Sequence, residues 1–242
     1  MWRRDIDGKV LTFHLAGINN QNFLMRDEET GSVWQQISGK AIFGPMKGQT
    51  LTRYQSDELS FAEWKAEEPA GVVLAPISAY VKAYDKQRGW EKEVAKYDTP
   101  NGDAHIAVDR EVMLGLEAGG VARAFPLKSV LDQKLVEDQV GSTLVLLLVG
   151  QDNLSVRAFK NRIPSTGQLS DFYRAAGKPG ESEHPDASGI IMTDSATQSG
   201  WNFQGCAVSG PLQGQCLRPL EIIKDYWFDW KAYHPQTSVY RH

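Results

Sequence analysis

The strongest constraint on this chain is that part of it is written twice. Aligned without gaps at an offset of 166, residues 40–73 and 206–239 are identical at 11 of 34 positions, where roughly two would be expected by chance. The identities are Ala41/Ala207, Gly44/Gly210, Pro45/Pro211, Gly48/Gly214, Gln49/Gln215, Leu51/Leu217, Trp64/Trp230, Lys65/Lys231, Ala66/Ala232, Pro69/Pro235 and Val73/Val239. One residue of slippage upstream, Asp27, Thr30, Ser32 and Trp34 align with Asp194, Thr197, Ser199 and Trp201. A chain built this way has to fold as two related units, spanning 27–73 and 194–240.

Each copy reads as strand, tight turn, strand, reversal, short helix, strand. The runs 22–26 and 189–193 have the length and apolarity of strands. In Asp-x-x-Thr-x-Ser-x-Trp the aspartate accepts hydrogen bonds from backbone groups further along the turn, and Thr and Ser do so more weakly. The tryptophan then re-enters the core. Ala-x-x-Gly-Pro-x-x-Gly is a chain reversal, since glycine allows positive φ and proline fixes φ near −65°. Phe61/Trp64 and Trp227/Trp230 have the spacing of one helical face. Pro69 and Pro235 stop these helices, and 72–74 and 238–240 are expected as closing strands.

Hydrophobic residues make up 41% of the 242, enough for a sizeable core. A net charge of −4 with no basic stripe argues against a nucleic-acid partner. No apolar run reaches membrane-spanning length, and 143–149 reads as a buried strand. No signal peptide follows Met1. Cys206 and Cys216 flank Gly210-Pro211 nearly symmetrically, so a cross-strand disulfide and two buried free thiols are both open readings. The first copy has Lys40 and Thr50 there, so the fold does not require the pair. A disulfide would argue for an oxidising compartment.

In chain order, 2–17 is a hairpin turning at Asp7-Gly8. Its second strand runs from Val10 to Ala16 and is followed by the amide-rich loop Asn19-Asn-Gln-Asn22. Residues 75–111, with Tyr80, Tyr84, Trp90 and Tyr97, form a connector too aromatic to be a free linker, laid over the surface. Residues 112–160 alternate like sheet, with a turn at Ala118-Gly-Gly120, a short helix over 127–135 and a turn at Gln151-Asp-Asn153. Residues 161–188 stand where 2–21 stand in the first copy, with Phe159 in the place of Trp2, and 177–186 is an exposed loop. The division is a first unit over 1–80, a connector over 81–111 and a second unit over 112–242. On this reading the opening arm of the first unit would precede Met1, and the chain is expected to be a fragment or trimmed polypeptide.

The run Leu114-Gly-Leu-Glu-Ala-Gly-Gly-Val-Ala-Arg-Ala-Phe-Pro-Leu127, the Asp27 turn, both Gly-Pro-x-x-Gly reversals and Tyr226-Trp-Phe-Asp-Trp-Lys-Ala-Tyr-His-Pro-Gln-Thr237 together resemble the bacterial and archaeal family called Domain of Unknown Function 3179. The similarity covers nearly the whole chain. It implies architecture and a periplasmic or otherwise extracytoplasmic location, without an activity. Many members it resembles carry Cys-Pro-x-Cys-Gly where this chain reads Val149-Gly-Gln-Asp-Asn153, so no thiol or metal role of those cysteines carries over.

Catalytic signatures are missing. The five histidines, His14, His105, His184, His234 and His242, make no His-x-x-x-His pattern, and there is no Cys-x-x-Cys. There is no Gly-x-Ser-x-Gly elbow, phosphate-binding loop or dinucleotide fingerprint. His234, ahead of Pro235, fits a helix end where imidazole bonds the last carbonyls. Ser32 and Ser199 fit turn caps, and Trp34, Trp64, Trp201, Trp227 and Trp230 fit cores better than a ligand cleft. No cofactor or metal is expected. The candidate binding residues are Asp27, Thr30, Ser32, Trp34, Asp194, Thr197, Ser199, Trp201 and His234.

The fold expected is mainly β with short helices, internally duplicated. The leading function is a non-enzymatic extracytoplasmic binding or scaffold module, with a protein partner or a second copy as its companion. One alternative is a metal-dependent or acid/base enzyme using Asp27 and Asp194, with His234, at the junction of the repeats. Another is an accessory subunit of a larger membrane-associated assembly.

Overall fold

A computed structural model of the chain describes residues 1–19, 22–87, 110–175 and 189–241. Asn20, Gln21, Trp90, Tyr97, His105, the 177–186 loop with His184, and His242 lie outside the described residues. The fold is mostly strand, arranged in five sheets with four short α-helices among the described residues. By compactness the chain divides into one unit of 1–57 with 229–235 and another of 58–228 with 236–242.

The first unit opens with a two-stranded hairpin, β1 (Asp5–Ile6) and β2 (Lys9–Val10). Asp7 and Gly8 between them have φ of 48° and 75°, the double positive φ that matches a two-residue turn to strand twist. The strand expected over 10–16 is broken. Leu11 turns inward and is fully buried, and a separate β3 (Phe13–Asn19) pairs instead with β4 (Asn22–Asp27). β5 (Val33–Gln35) and β6 (Ala41–Phe43) complete an antiparallel meander. Leu11, Trp34, Ala41 and Leu51 form its core, with Trp2, Ile6, Phe13, Met25 and Met46 around them.

The second unit contains three sheets. β7 (Val112–Ala118) and β8 (Val121–Pro126) turn through Gly119-Gly120, as expected, and β17 (Ile222–Tyr226) and β18 (Ser238–Val239) flank them. A helix follows β8 at Leu127–Gln133. The helix expected over 127–135 ends at Gln133, and the chain goes straight into β9 (Leu135–Val140), a strand not expected there, whose Val136 and Val140 are buried. The order of the middle sheet is β16 (Pro219–Leu220), β11 (Val156–Lys160), β10 (Thr143–Val149), β9. β10 is apolar from Leu144 to Val149 because both its faces are covered. Val145, Leu147 and Val149 join one core with Leu114, Leu116 and Phe125, while Leu146 and Leu148 join another with Met192, Trp201 and Phe203. β12 (Phe172–Arg174), β13 (Met192–Asp194), β14 (Gly200–Trp201) and β15 (Ala207–Ser209) form the third sheet, in the β3 to β6 order of pairing.

Of the helices, α1 is Phe61–Glu67, α2 is Val81–Gln87, α3 is Leu127–Gln133 and α4 is Trp227–Tyr233. Ser60 caps α1, its Oγ accepting from Glu63 N at 3.1 Å. α1 and α4, which share the run Trp-Lys-Ala, differ in burial. Trp227 and Trp230 of α4 are fully buried, whereas α1 buries none of its residues and Trp64 is only partly covered. The expectation that Trp64 is core is therefore corrected. The expected closing strand at 72–74 is also absent: Val72, Val73 and Leu74 are exposed coil, while their counterpart Ser238–Val239 is held in place by parallel pairing to β8. Without a neighbouring edge to bond to, a three-residue apolar run has no reason to become a strand. Tyr80 and Tyr84 of the connector are likewise exposed.

Candidate functional site

The Asp-x-x-Thr-x-Ser-x-Trp motifs form the same bonded cage at Asp27 and at Asp194. Each aspartate ends a strand, and its backbone N–H donates to the motif serine's carbonyl, at 3.1 Å for Ser32 and 3.2 Å for Ser199. The side chain turns into the protein and is fully buried in both cases. Asp27 Oδ1 accepts from Thr30 N at 2.5 Å, and Oδ2 accepts from Thr30 Oγ1 at 2.9 Å and Trp34 Nε1 at 2.7 Å. Asp194 Oδ1 accepts from Thr197 N at 2.6 Å, and Oδ2 from Thr197 Oγ1 at 2.9 Å and Trp201 Nε1 at 3.0 Å. Each serine hydroxyl accepts from a backbone N–H of the following reversal, Met46 for Ser32 and Leu212 for Ser199, both at 3.0 Å. Each also lies 2.7 Å from the threonine hydroxyl.

Proton directions follow from donor counting. The threonine proton goes to the carboxylate, so the serine proton must go to the threonine oxygen. Each cage is thus a one-way relay from a backbone amide through Ser and Thr to Asp. Burial alone would raise both carboxyl pKa values, but the indole, hydroxyl and backbone donors together outweigh it and hold both below the ordinary aspartate range. Both aspartates are therefore ionised at neutral pH, and their oxygens are bonded within their own turns. Phe13 and Phe172 meet Trp34 and Trp201 edge-on, at 5.9 and 5.6 Å between centroids.

Position 31 is Gly and position 198 is Gln, yet both take positive φ, 70° and 58°. Trp2 and Phe159 hold matching places: their rings lie where a Cβ on Gly39 or Gly205 would sit. Cys206 and Cys216 are bonded to each other, at the bridge position that Lys40 and Thr50 occupy in the first copy. Lys65 and Lys231 donate to the carbonyls of Pro69 and Pro235 at 2.7 and 2.9 Å. His234 stacks on Trp230 with centroids 3.7 Å apart, and its Nδ1 lies 3.1 Å from the Trp230 carbonyl, so that nitrogen carries the proton. Among the described residues no group of three His, Cys, Asp or Glu side chains could hold a metal ion.

Two polar groupings escaped the sequence reading. In the second unit, the 149–153 segment is a turn in which Asp152 accepts from Leu154 N, Ser155 N and Ser155 Oγ. Ser155 Oγ in turn accepts from Ser60 N, and Arg157 forks onto Glu67. Glu63 faces this cluster. Burial, then the negative charges of Asp152 and Glu67, raise its pKa against the pull of Arg157. In the first unit, Asn22 and Asp229 meet, with Asn22 Nδ2 3.4 Å from Asp229 Oδ2. Burial raises the Asp229 pKa, opposed by that amide. The signal for both lay in the repeat: each copy has an acid immediately before the shared helix tryptophan, Glu63 and Asp229.

The chain belongs to the family described as protein of unknown function, DUF3179, whose family model matches residues 1–237. No curated protein and no solved structure matches it. No helix among the described residues is long and apolar enough to cross a membrane.

Proposed function

We propose that this DUF3179 chain is a non-enzymatic binding or scaffold module working outside the cytoplasm, built from one β-rich unit used twice. The observation that carries the reading is an apolar run left open to solvent. Val72 is 91% and Leu74 97% exposed, and Val73, Ile77, Tyr80, Val81 and Tyr84 are exposed beside them in sequence. A largely apolar segment on a surface, broken only by Ser78 and Lys82 between Val72 and Tyr84, is a feature of partner-binding proteins. The cages add support from the other side. Motif residues that look catalytic in the sequence have their donors and acceptors engaged in holding turns, which favours a scaffold over an acid-pair enzyme. The matched bonding of 27–51 and 194–217 supports a duplicated unit, and the Cys206–Cys216 bond supports an oxidising compartment.

The test places a photo-crosslinking residue at Leu74 and, as a control, at Lys128 on the exposed side of α3, in protein made by its own cell. A discrete protein adduct at 74 and none at 128 is the expected result. Equal labelling at both positions would overturn the reading. Thiol trapping in intact cells tests the compartment: Cys206 and Cys216 should resist alkylation until a reductant is added.

A further inference from the structure

Asp229 is 6% exposed, yet among the described residues its Oδ1 has no hydrogen-bond partner, and neither has Oδ1 of Asn22 beside it. The one bond between them, Asn22 Nδ2 to Asp229 Oδ2, is stretched to 3.4 Å. Tyr233 Oη donates to the Asn19 carbonyl at 2.8 Å, and Gln35 Nε2 reaches Asn19 Oδ1 at 3.4 Å. The first unit therefore holds two buried oxygen acceptors on contacting side chains, one of them a carboxyl, to which nothing among the described residues donates. Leaving such groups empty is costly, and buried acceptors are ordinarily filled by protein, water or an ion.

We propose that the Asp229 and Asn22 Oδ1 atoms form a binding site for one small monovalent cation, an alkali ion or an ammonium group. Charge and ligand type select this class. One carboxylate balances one positive charge, and the absence, among the described residues, of a trio of His, Cys, Asp or Glu does not favour a divalent metal. Both empty atoms are oxygens, which suit hard cations and N–H donors alike. With the cation bound, the carboxylate stays ionised and buried. Without it, burial favours the protonated acid. The site does not depend on the binding-module reading, since a structural ion would be held in a scaffold and in an enzyme equally.

The test is thermal melting of the full chain in tetramethylammonium chloride, whose cation is too large for the site, against sodium, potassium and ammonium chlorides at equal ionic strength. The wild type should gain about 3–6 °C when the favoured cation is present at about ten times its Kd. The three salts separate an alkali site from an ammonium site. Asp229→Asn keeps the shape and removes the charge, so it should melt no lower than wild type in tetramethylammonium and show no salt-specific gain. Asn22→Ala, which removes one acceptor, should shift the wild-type salt titration to about tenfold higher concentration. Identical melting of the wild type in all four salts would overturn the proposal without any variant. So would an equal gain in Asp229→Asn; in either case the pair holds only a proton or water.

Discussion

Substituting alanine at Gly210 and at Gly214 separates two physical effects that usually come together. The two glycines have nearly the same backbone, φ of +85° and +87°, so each alanine carries the same left-handed penalty of about 1–2 kcal/mol. Their surroundings differ. A Cβ on Gly214 meets nothing within 4 Å, whereas on Gly210 it would lie 2.7 Å from Ser199 Cα and 2.8 Å from Ser199 Oγ. Backbone cannot rotate out of the way, so the reversal has to lift. Lifting it separates Leu212 N from Ser199 Oγ, now 3.0 Å apart, and leaves a buried group unsatisfied at a further cost of about 1–3 kcal/mol. Gly210→Ala should therefore destabilise by about 2–5 kcal/mol and Gly214→Ala by about 1–2. Gly44 and Gly48 offer the same comparison in the first unit, since a Cβ on Gly44 would come 2.7 Å from Ser32 Cα and one on Gly48 would meet nothing. The assay is urea unfolding followed by tryptophan fluorescence, comparing midpoints at unchanged m. Equal losses at 210 and 214, to within about 0.5 kcal/mol, would refute the claim that the Ser199 contact fixes this glycine.

Trp201→Phe removes the indole donor to Asp194 and part of a fully buried ring, so it should cost at least about 1–3 kcal/mol at pH 7. Because the folded Asp194 pKa is lowered, the stability it confers is present above its unfolded value of about 3.9 and is lost as pH falls through the folded value. The gap between wild type and variant should narrow below about pH 4 in denaturant midpoints; a gap that ignores pH would contradict the charged role of Asp194. Replacing Cys206 by Lys and Cys216 by Thr, the residues of the first copy, should cost about 2–3 kcal/mol and leave the far-ultraviolet circular dichroism unchanged. Loss of the folded spectrum would show that the bridge is required after all.

Local chemistry was legible because it depends on near neighbours. Asp27, Thr30, Ser32 and Trp34 lie within one turn of chain, and their spacing is what lets the hydroxyls and indole reach a single carboxylate. Turn glycines, the Asp7-Gly8 hairpin and the doubly covered β10 also follow from sequence, through φ preference and the period of apolar residues. Trp64 and Val73 misled, because identity with Trp230 and Val239 carries backbone preference but not burial. Burial is set by what packs alongside, and Val239 has β8 beside it where Val73 has no strand among the described residues.

The cation pair required the fold. Asn22 and Asp229 are 207 residues apart in the chain, and no local pattern says that an amide at the head of β4 will face an acid on α4. The sequence by itself determined the turns, the strand periodicity and the cages, all held by contacts a few residues long. Tertiary structure decided which apolar residues are covered, whether the cysteines join, and which buried acid is left without a donor. Those outcomes depend on the approach of distant segments, and that approach is governed by the packing of the whole chain.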